Sequence, residues 1–504
     1  PLGISDLDEL SMDALDRGAA NRIFLREGMK SLVQKPTSLG DAGTELFGAA
    51  GEAAEAGGAA APGAGAESGA ASAGPVAAPE GAPAELLGPG SFESVTSIEA
   101  LRAWVDRCVA AGKFAFDCET DSLDELAAEA VGLSLSCEPR RACYVPLSSP
   151  DADCIPREAV RDELKRLFSA PGVTLVGHNV KYDYHVMRRF GAPMPGALGD
   201  TMIAAWLLDA EAPSLALEAL AERRLGYKGI EFDDVVPKGA TFAMVPLAQA
   251  TKYAAEDADL TYRLDRLMGP ELEAAGLAGL YRDLEMPLLP ILAGMEAEGI
   301  LVDAKELRAY GEELDRKLDS IQREIWKLCD REFNLASPKQ LQEVLFVDRK
   351  LPTGKKTKTG WSTDSSVLEE LAALDPVPEK ILRHRSLAKL KGTYVESLAA
   401  LAEREPRVHT HFLQTGAATG RLSSRDPNLQ NIPVREEEGR RIREAFVAAP
   451  GHLLVSADYA QIELVILAHL SRDENLVAAF QGGADVHKRT AGLIFGVEPG
   501  ACRR

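Results

Sequence analysis

The sequence predicts a multidomain α/β chain. Three observations carry that expectation. The 504 residues exceed what one hydrophobic core normally serves. Between 92 and 270, short apolar strand-like runs alternate with amphipathic helical stretches. Helical periodicity then dominates to about 405, and strand-like runs return after it.

The segments justify this in order. Residues 1–35, with DALDRGAANRIFLREGMKSLV, show helical spacing but are too short for a domain. Residues 36–91 are Ala, Gly, Pro, Ser and Glu with almost nothing large to bury, which predicts a disordered linker. In 92–270, KFAFD, AVGLSLS, ACYVPL and TLVGHN are expected strands, and PREAVRDELKRLFSA an expected helix. Residues 271–405 are expected to be long helices broken by the basic segment DRKLPTGKKTKTGW. In 406–504, HTHFLQTG and HLLVSADY are expected strands. Trp104, Trp206, Trp326 and Trp361 are expected to pack.

Lys plus Arg total 56 against 77 Asp plus Glu, a net charge of −21. Nucleic acid would therefore have to be held by clustered cations. The seven cysteines form no CxxC pair and no zinc spacing, so disulfides and structural zinc are not expected. No apolar run suits a bilayer, and no signal peptide is read, so a cytoplasmic protein without membrane partners is expected.

Three short motifs carry chemistry. KFAFDCETDS puts Asp117 and Glu119 two apart on a strand, hence on one face. GHNVKYDYHVM supplies Asn179 and Asp183 after a second strand. TKYAAEDADLTYRL places Tyr253 and Asp257 four apart, on one helix face. Asp117, Glu119, Asp183 and Asp257 together would be a costly cluster of like charge. Hard oxygen ligands favour Mg²⁺ or Mn²⁺. Two such ions support phosphodiester cleavage, with Tyr253 orienting the water. Asp121, Asp124 and Glu125, which follow the first motif, are expected to face solvent. A purely structural protein has little reason to keep such a cluster.

The order DxE, Nx₃D, Yx₃D resembles the 3′→5′ exonuclease family of the RNase H-like fold, over about 92–270. Further on, TGRLSSRDPNLQNIPVR, SADYAQIELVILAHLS and DVHKRTAGLIFGV look like the bacterial family A DNA polymerases. MEAEGILVD, FNLASPKQL and LAKLKGTYVESL are similar to that family's palm entry and thumb. The resemblance implies an RNase H-like exonuclease domain followed by a helical thumb and a partial palm. Residues 1–35 would be the end of a 5′-nuclease domain, 271–405 the palm entry and thumb, and 406–504 a partial palm. It implies DNA synthesis with proofreading in replication and repair. The partners would be primer–template DNA, a single-stranded 3′ end and dNTPs, met by a monomer.

Residue roles follow from the resemblance alone. Asp458 and the carbonyl of Tyr459 would hold polymerase metals. Glu463 would exclude a ribose 2′-OH, and Gln461 would support the nucleotide pocket. Arg421 would touch the primer terminus, and Gln430 and Asn431 offer minor-groove donors. Arg435 and His487 would lie near nucleotide phosphates, and Arg503 would begin the nucleotide-binding helix. Lys355, Lys356 and Lys358 would form a thumb tip on the DNA backbone. Val465 stands where the family usually has arginine, and Cys118 where it commonly has threonine; its side chain is small and suits burial, so little effect on the exonuclease is expected beyond a sensitivity to oxidation. The second polymerase aspartate is expected beyond residue 504, so this chain is expected to keep the exonuclease and DNA binding but not to polymerise. A stand-alone exonuclease resembling ribonuclease D would need neither TGRLSS nor DYAQIEL. A non-catalytic DNA-binding module would be expected to lack one of the acidic residues.

Overall fold

The computed structural model describes residues 82–194, 196–357, 360–434, 436–459, 461–483, 486, 488 and 489. The expectations for 1–81, and those for Lys358, Arg435, His487 and Arg503, lie outside them.

A six-stranded mixed sheet forms the first half. Its strands are β1 (Ser91–Ser94), β2 (Lys113–Thr120), β3 (Ala130–Glu138), β4 (Arg141–Pro146), β5 (Thr174–Gly177) and β6 (Leu198–Asp200), in the order β1-β4-β3-β2-β5-β6. β2, β3 and β4 are antiparallel neighbours, β5 and β6 continue parallel to β2, and β1 runs parallel to β4 at the far edge. This is the RNase H-like arrangement. The alternation in β2 sorts its residues onto two faces. Phe114, Phe116 and Cys118 enter a core with α1 (Ile98–Ala111) and α2 (Arg157–Phe168). There Phe168 lies edge-on to Phe116, with ring centroids 5.6 Å apart. Ala115, Asp117 and Glu119 take the opposite face.

The longer remaining helices of this half are α3 (Val180–Phe190), α4 (Thr201–Leu208), α5 (Leu217–Leu225) and α6 (Leu247–Ala274), with a single turn at Phe232–Val235 before α6. α6 crosses β1 to β5 on the carboxylate face. Its Ala250, Tyr253, Ala254 and Ala255 pack with Val131, Ala142 and Tyr144 of the sheet. The small residues let helix and sheet approach closely.

A π-helical turn, Tyr281–Glu285, leads into α7 (Met286–Glu298). β7 (Ile300–Leu301) and the long α8 (Ala304–Cys329) follow. A short hairpin pairs β8 (Lys356–Thr357) with β9 (Gly360–Trp361). After it come α9 (Pro376–Leu390), α10 (Ser397–Arg404), β10 (Arg407–Val408), β11 (His411–Leu413), β12 (Ser423–Arg425), α11 (Glu437–Glu444) and α12 (Ile462–Ser471). β10 returns to pair with β7, and β11 pairs with β12. Leu307, Tyr310 and Leu314 of α8 share a second core with Leu387, Leu398 and Ile442.

Two expectations are corrected here. The linker expected over 36–91 does not extend to its end, because Leu86 is buried in the core and Ser91 opens β1. The fully buried Arg263 fastens this stretch, donating to Leu86 O at 3.1 Å and Gly88 O at 2.9 Å. HLLVSADY forms no strand, since no described backbone pairs with it, and Leu453, Leu454 and Val455 stay exposed. In α11, Arg441 is tied to Glu306 at 3.2 Å and Glu313 at 3.4 Å.

Arg263 also pairs with the equally buried Asp259 at 2.7 Å. Removing one partner strands the other charge away from water. Arg263→Ala is therefore expected to cost about 3–5 kcal/mol in urea unfolding. It should also open residues 82–90 to proteolysis. A variant as stable as the parent would show that this pair does not anchor the segment.

Candidate active site

The carboxylate face of β2 forms the floor of the site. Asp117 is half-buried, and Glu119, Asp183 and Asp257 are buried. Oxygens of Asp117, Glu119 and Asp257 all lie within 4.8 Å of one another. Asp183 joins from α3, where its Oδ1 accepts the Cys118 N–H at 3.0 Å. Opposite Glu119, Gly132 leaves room for the Tyr144 ring, which a Cβ at that position would strike.

The electrostatics follow from burial and like charge. Burial, with the Glu218 carboxylate adding to it, pushes Asp117 up to about 7. Burial, then the charges of Asp117 and Asp183, raises Glu119. Burial and Asp117 raise Asp183, and burial with Asp117 and Glu119 raises Asp257. Glu119 Oε1 is buried without a hydrogen-bond partner. An orphaned acceptor beside two further carboxylates is what a divalent cation would satisfy, so this donor set fits a hard metal ion.

Tyr253 sits one helical turn before Asp257 and is held by aromatic contacts. Its ring meets Phe232 edge-on at 6.0 Å and Phe242 at 5.8 Å. Burial first, then Asp257 and Glu119, keep the phenol protonated far above neutral pH. It remains a hydrogen-bond donor.

Asn179 opens α3 in the left-handed conformation, with φ 59°. Its N–H and that of Val180 donate to Asp200 at 3.2 and 2.8 Å. Asp200 also accepts from Met202 N and Ile203 N at 2.8 and 3.2 Å, so one buried carboxylate caps α3 and α4 together. The sequence reading missed Asp200; a Gly-Asp-Thr before an apolar run was its signal. It also missed Glu218 on α5, which no short motif marks.

Two expectations near the site are corrected. Glu125 does not face solvent: it is buried, and the His411 ring meets it at 2.6 Å. Cys118 is not exposed to oxidation: burial and the neighbouring carboxylates push its thiol well up, which suppresses the reactive thiolate. Asp121 and Asp124 are exposed as expected.

The second constellation is differently placed. Asp458 and Tyr459 are exposed, and no described group of three potential ligands includes Asp458. Gln461 takes φ 55° ahead of α12. Arg421 pairs with Glu463 on the surface. The Gln430 side-chain amide donates to Leu422 O at 3.1 Å, and Asn431 is exposed. Lys355 and Lys356 are exposed at the β8–β9 hairpin, with the Lys356 ammonium 5.6 Å from the centre of the Trp361 ring.

A sheet-borne carboxylate cluster with a tyrosine, in series with this second segment, defines the class: a 3′→5′ exonuclease domain ahead of a polymerase segment. The comparisons agree. Residues 92–273 match the family described as 3′-5′ exonuclease, and 304–504 match DNA polymerase family A. The chain belongs to the family A DNA polymerases. It is 45% identical over 445 residues to DNA polymerase I of Treponema pallidum (strain Nichols), covering 81% of this chain and 45% of that protein. It is 42% identical to DNA polymerase I of Rhizobium leguminosarum, covering 82% and 44%. A solved structure, the POL domain of Pol1 from M. smegmatis in complex with DNA primer-template and dNTP, superposes with a TM-score of 0.69 at 32% identity, covering 82% of this chain and 68% of that one. The chain thus spans about half the length of the relatives it matches. No described helix is long and apolar enough to cross a membrane.

A carboxyl with a raised folded pKa favours folding only while protonated. Asp117 therefore supports the metal-free fold below about pH 4, and that support is lost as pH rises through about 7. Asp117→Asn should remain stabilising above that range: the metal-free variant should melt several degrees higher than the parent at pH 8. At pH 4 the two should coincide. Equal melting at pH 8 would mean that the cluster carries no such penalty.

Proposed function

We propose that this chain hydrolyses DNA from its 3′ end, as the proofreading part of a DNA polymerase of replication and repair. The observation that carries this reading is the buried cluster of Asp117, Glu119, Asp183 and Asp257 beside a protonated Tyr253. We divide the chain accordingly: exonuclease over 92–270, palm entry and thumb over 271–405, and palm over 406–504.

Asp117, Glu119, Asp183 and Asp257 would hold Mg²⁺ or Mn²⁺. Bound divalent cations supply the Lewis acidity that phosphodiester hydrolysis needs. The chain itself does the rest. Tyr253 donates its O–H and so orients the attacking water. The apolar wall of Phe232 and Phe242 fixes that phenol. Water adds its oxygen to phosphorus, the bond to the 3′ oxygen breaks, and a nucleoside monophosphate leaves. Asn179, at the head of α3, faces a cleft it shares with Lys181, Tyr182 and His411 and would receive the terminal nucleotide.

The segment from 304 onward would hold the primer–template. Arg421, Gln430 and Asn431 would contact the duplex. Arg435, Gln461, Glu463, His487 and Arg503 would face the nucleotide, with Asp458 and Tyr459 toward its metals. Asp458 is exposed, so synthesis would need further metal ligands beside it.

The test is a 5′-labelled primer–template with Mg²⁺, with and without dNTPs. Shortening is expected in both. Asp257→Asn should slow it at least about 100-fold, the loss expected for one group at a charged transition state. Lengthening with dNTPs would refute the assignment of hydrolysis alone, and DNA binding without shortening would favour a non-catalytic module.

The hairpin gives a second expectation. If Lys355 and Lys356 each neutralise a phosphate, replacing both with alanine should flatten the salt dependence of DNA binding by about two units of log–log slope. An unchanged slope in a fluorescence-anisotropy titration would remove the hairpin from the interface.

A further inference from the structure

A buried polar network joins the exonuclease half to the strands beyond α7. Its centre is Glu296, near the end of α7, with a fully buried side chain. One carboxylate oxygen takes the Lys181 ammonium and the Phe412 N–H, the latter at 2.6 Å. The other meets His185 Nε2 at 2.8 Å. Lys181 and His185 stand one turn apart on α3, so both donors come from the same helix face. Phe412 belongs to β11. The Glu296 carbonyl meets His409 Nδ1 at 2.7 Å, while His411 of β11 holds Glu125 in the loop after β2.

α3 is also the helix that carries Asp183. Its start is fixed by Asp200, and its middle by Glu296. Asp183 lies between the two residues that Glu296 grips. A shift of α3 would therefore move Asp183 relative to Asp117 and Glu119, which are fixed in the sheet. Glu125, His185 and Glu296 also place potential ligand atoms within 4.8 Å of one another. That group is no vacant cation site, because the Lys181 ammonium and the His411 ring already serve its carboxylates.

We propose that Glu296 is a positioning residue for the exonuclease. It holds α3, and with it Asp183, in register with the β2 carboxylates, and it ties that register to β11 of the polymerase segment. The inference rests on the exonuclease reading of the cluster. Its mechanism is geometric. The Glu296 side chain is fully buried, and three donors from two elements, α3 and β11, converge on its two oxygens. Glutamine at 296 keeps the shape but loses the charge for Lys181 and replaces one acceptor oxygen with a donor amide. The grip on α3 is loosened without a cavity.

The test uses the full chain and a 5′-labelled single-stranded oligonucleotide with Mg²⁺ under single-turnover conditions. For Glu296→Gln the maximal rate should fall about tenfold, as for residues that orient metal ligands, with half-saturating DNA changed less than about twofold. Calorimetric titration of the DNA-free protein with Mn²⁺ should show weaker binding. A contact that serves only stability would lower the melting temperature and leave both the maximal rate and the Mn²⁺ affinity of the folded protein unchanged, and that result overturns the proposal. Loss confined to half-saturating DNA also overturns it. Should Glu296→Gln not fold, His185→Gln removes one grip point and should give the same pattern at several-fold size. If the parent chain does not shorten the oligonucleotide, the exonuclease reading fails, and the Mn²⁺ titration still decides whether Glu296 positions Asp183.

Discussion

The structure of the first half depends on one unfavourable arrangement: four carboxylates of like charge gathered on one face of a sheet and largely removed from water. Burial alone disfavours each charge, and each raises the cost of its neighbours. Such a group persists only if the scaffold is stable enough to bear it. The opposite face of β2 supplies that stability through Phe114, Phe116 and the helices packed on them. Cleft and core are thus two sides of one strand. The alternation that sends Phe116 and Cys118 to the core sends Asp117 and Glu119 to the cleft.

The same constraint explains the supports around the site. A carboxylate under repulsion moves apart from its neighbours unless its backbone is fixed. Asp117 and Glu119 are fixed by the ladder with β3, which sets them opposite Ser134 and Gly132. Asp257 is fixed by a 28-residue helix laid across the sheet. Asp183 lies on a shorter helix, and that helix has the most elaborate restraint. Asp200 caps its start, the Cys118 N–H meets its carboxylate, and Glu296 holds its flank. Of the two helices that carry carboxylates, the shorter is the more restrained. That is the pattern expected if spacing between the carboxylates is what the scaffold protects.

Period made part of this legible in the sequence. A two-residue step on a strand and a four-residue step on a helix identify faces without further knowledge, so Asp117 with Glu119 and Tyr253 with Asp257 could be read directly. The strands AVGLSLS, ACYVPL and TLVGHN were legible for the same reason. The supports were not. His411 meets Glu125 across 286 positions and His185 meets Glu296 across 111, and no local pattern encodes such pairs. Glu125 followed the acidic run Asp121 and Asp124 and looked like one more solvated charge. Cys118 read as small enough to bury, and that burial beside carboxylates is what suppresses its thiolate. β1 and β6 were missed because four and three residues carry too little periodicity. HLLVSADY had a strand's composition, but a strand is a property of two chains of backbone, and no described partner stands beside it.

The two acidic constellations show why residue identity cannot stand in for environment. Asp117 and Asp458 both follow apolar runs, but Asp117 was read as a metal ligand from its spacing within a carboxylate cluster and Asp458 from family resemblance. Asp117 has Glu119 and Asp257 within reach, an orphaned acceptor beside it and an apolar wall that excludes water. Asp458 stands in solvent, and Tyr459 next to it is 80% exposed. A lone solvated carboxylate attracts a divalent cation weakly, because water screens the charge and competes for the ion. A crowded, buried set gains both hydration relief and charge neutralisation when the ion enters. The difference lies in what surrounds each aspartate.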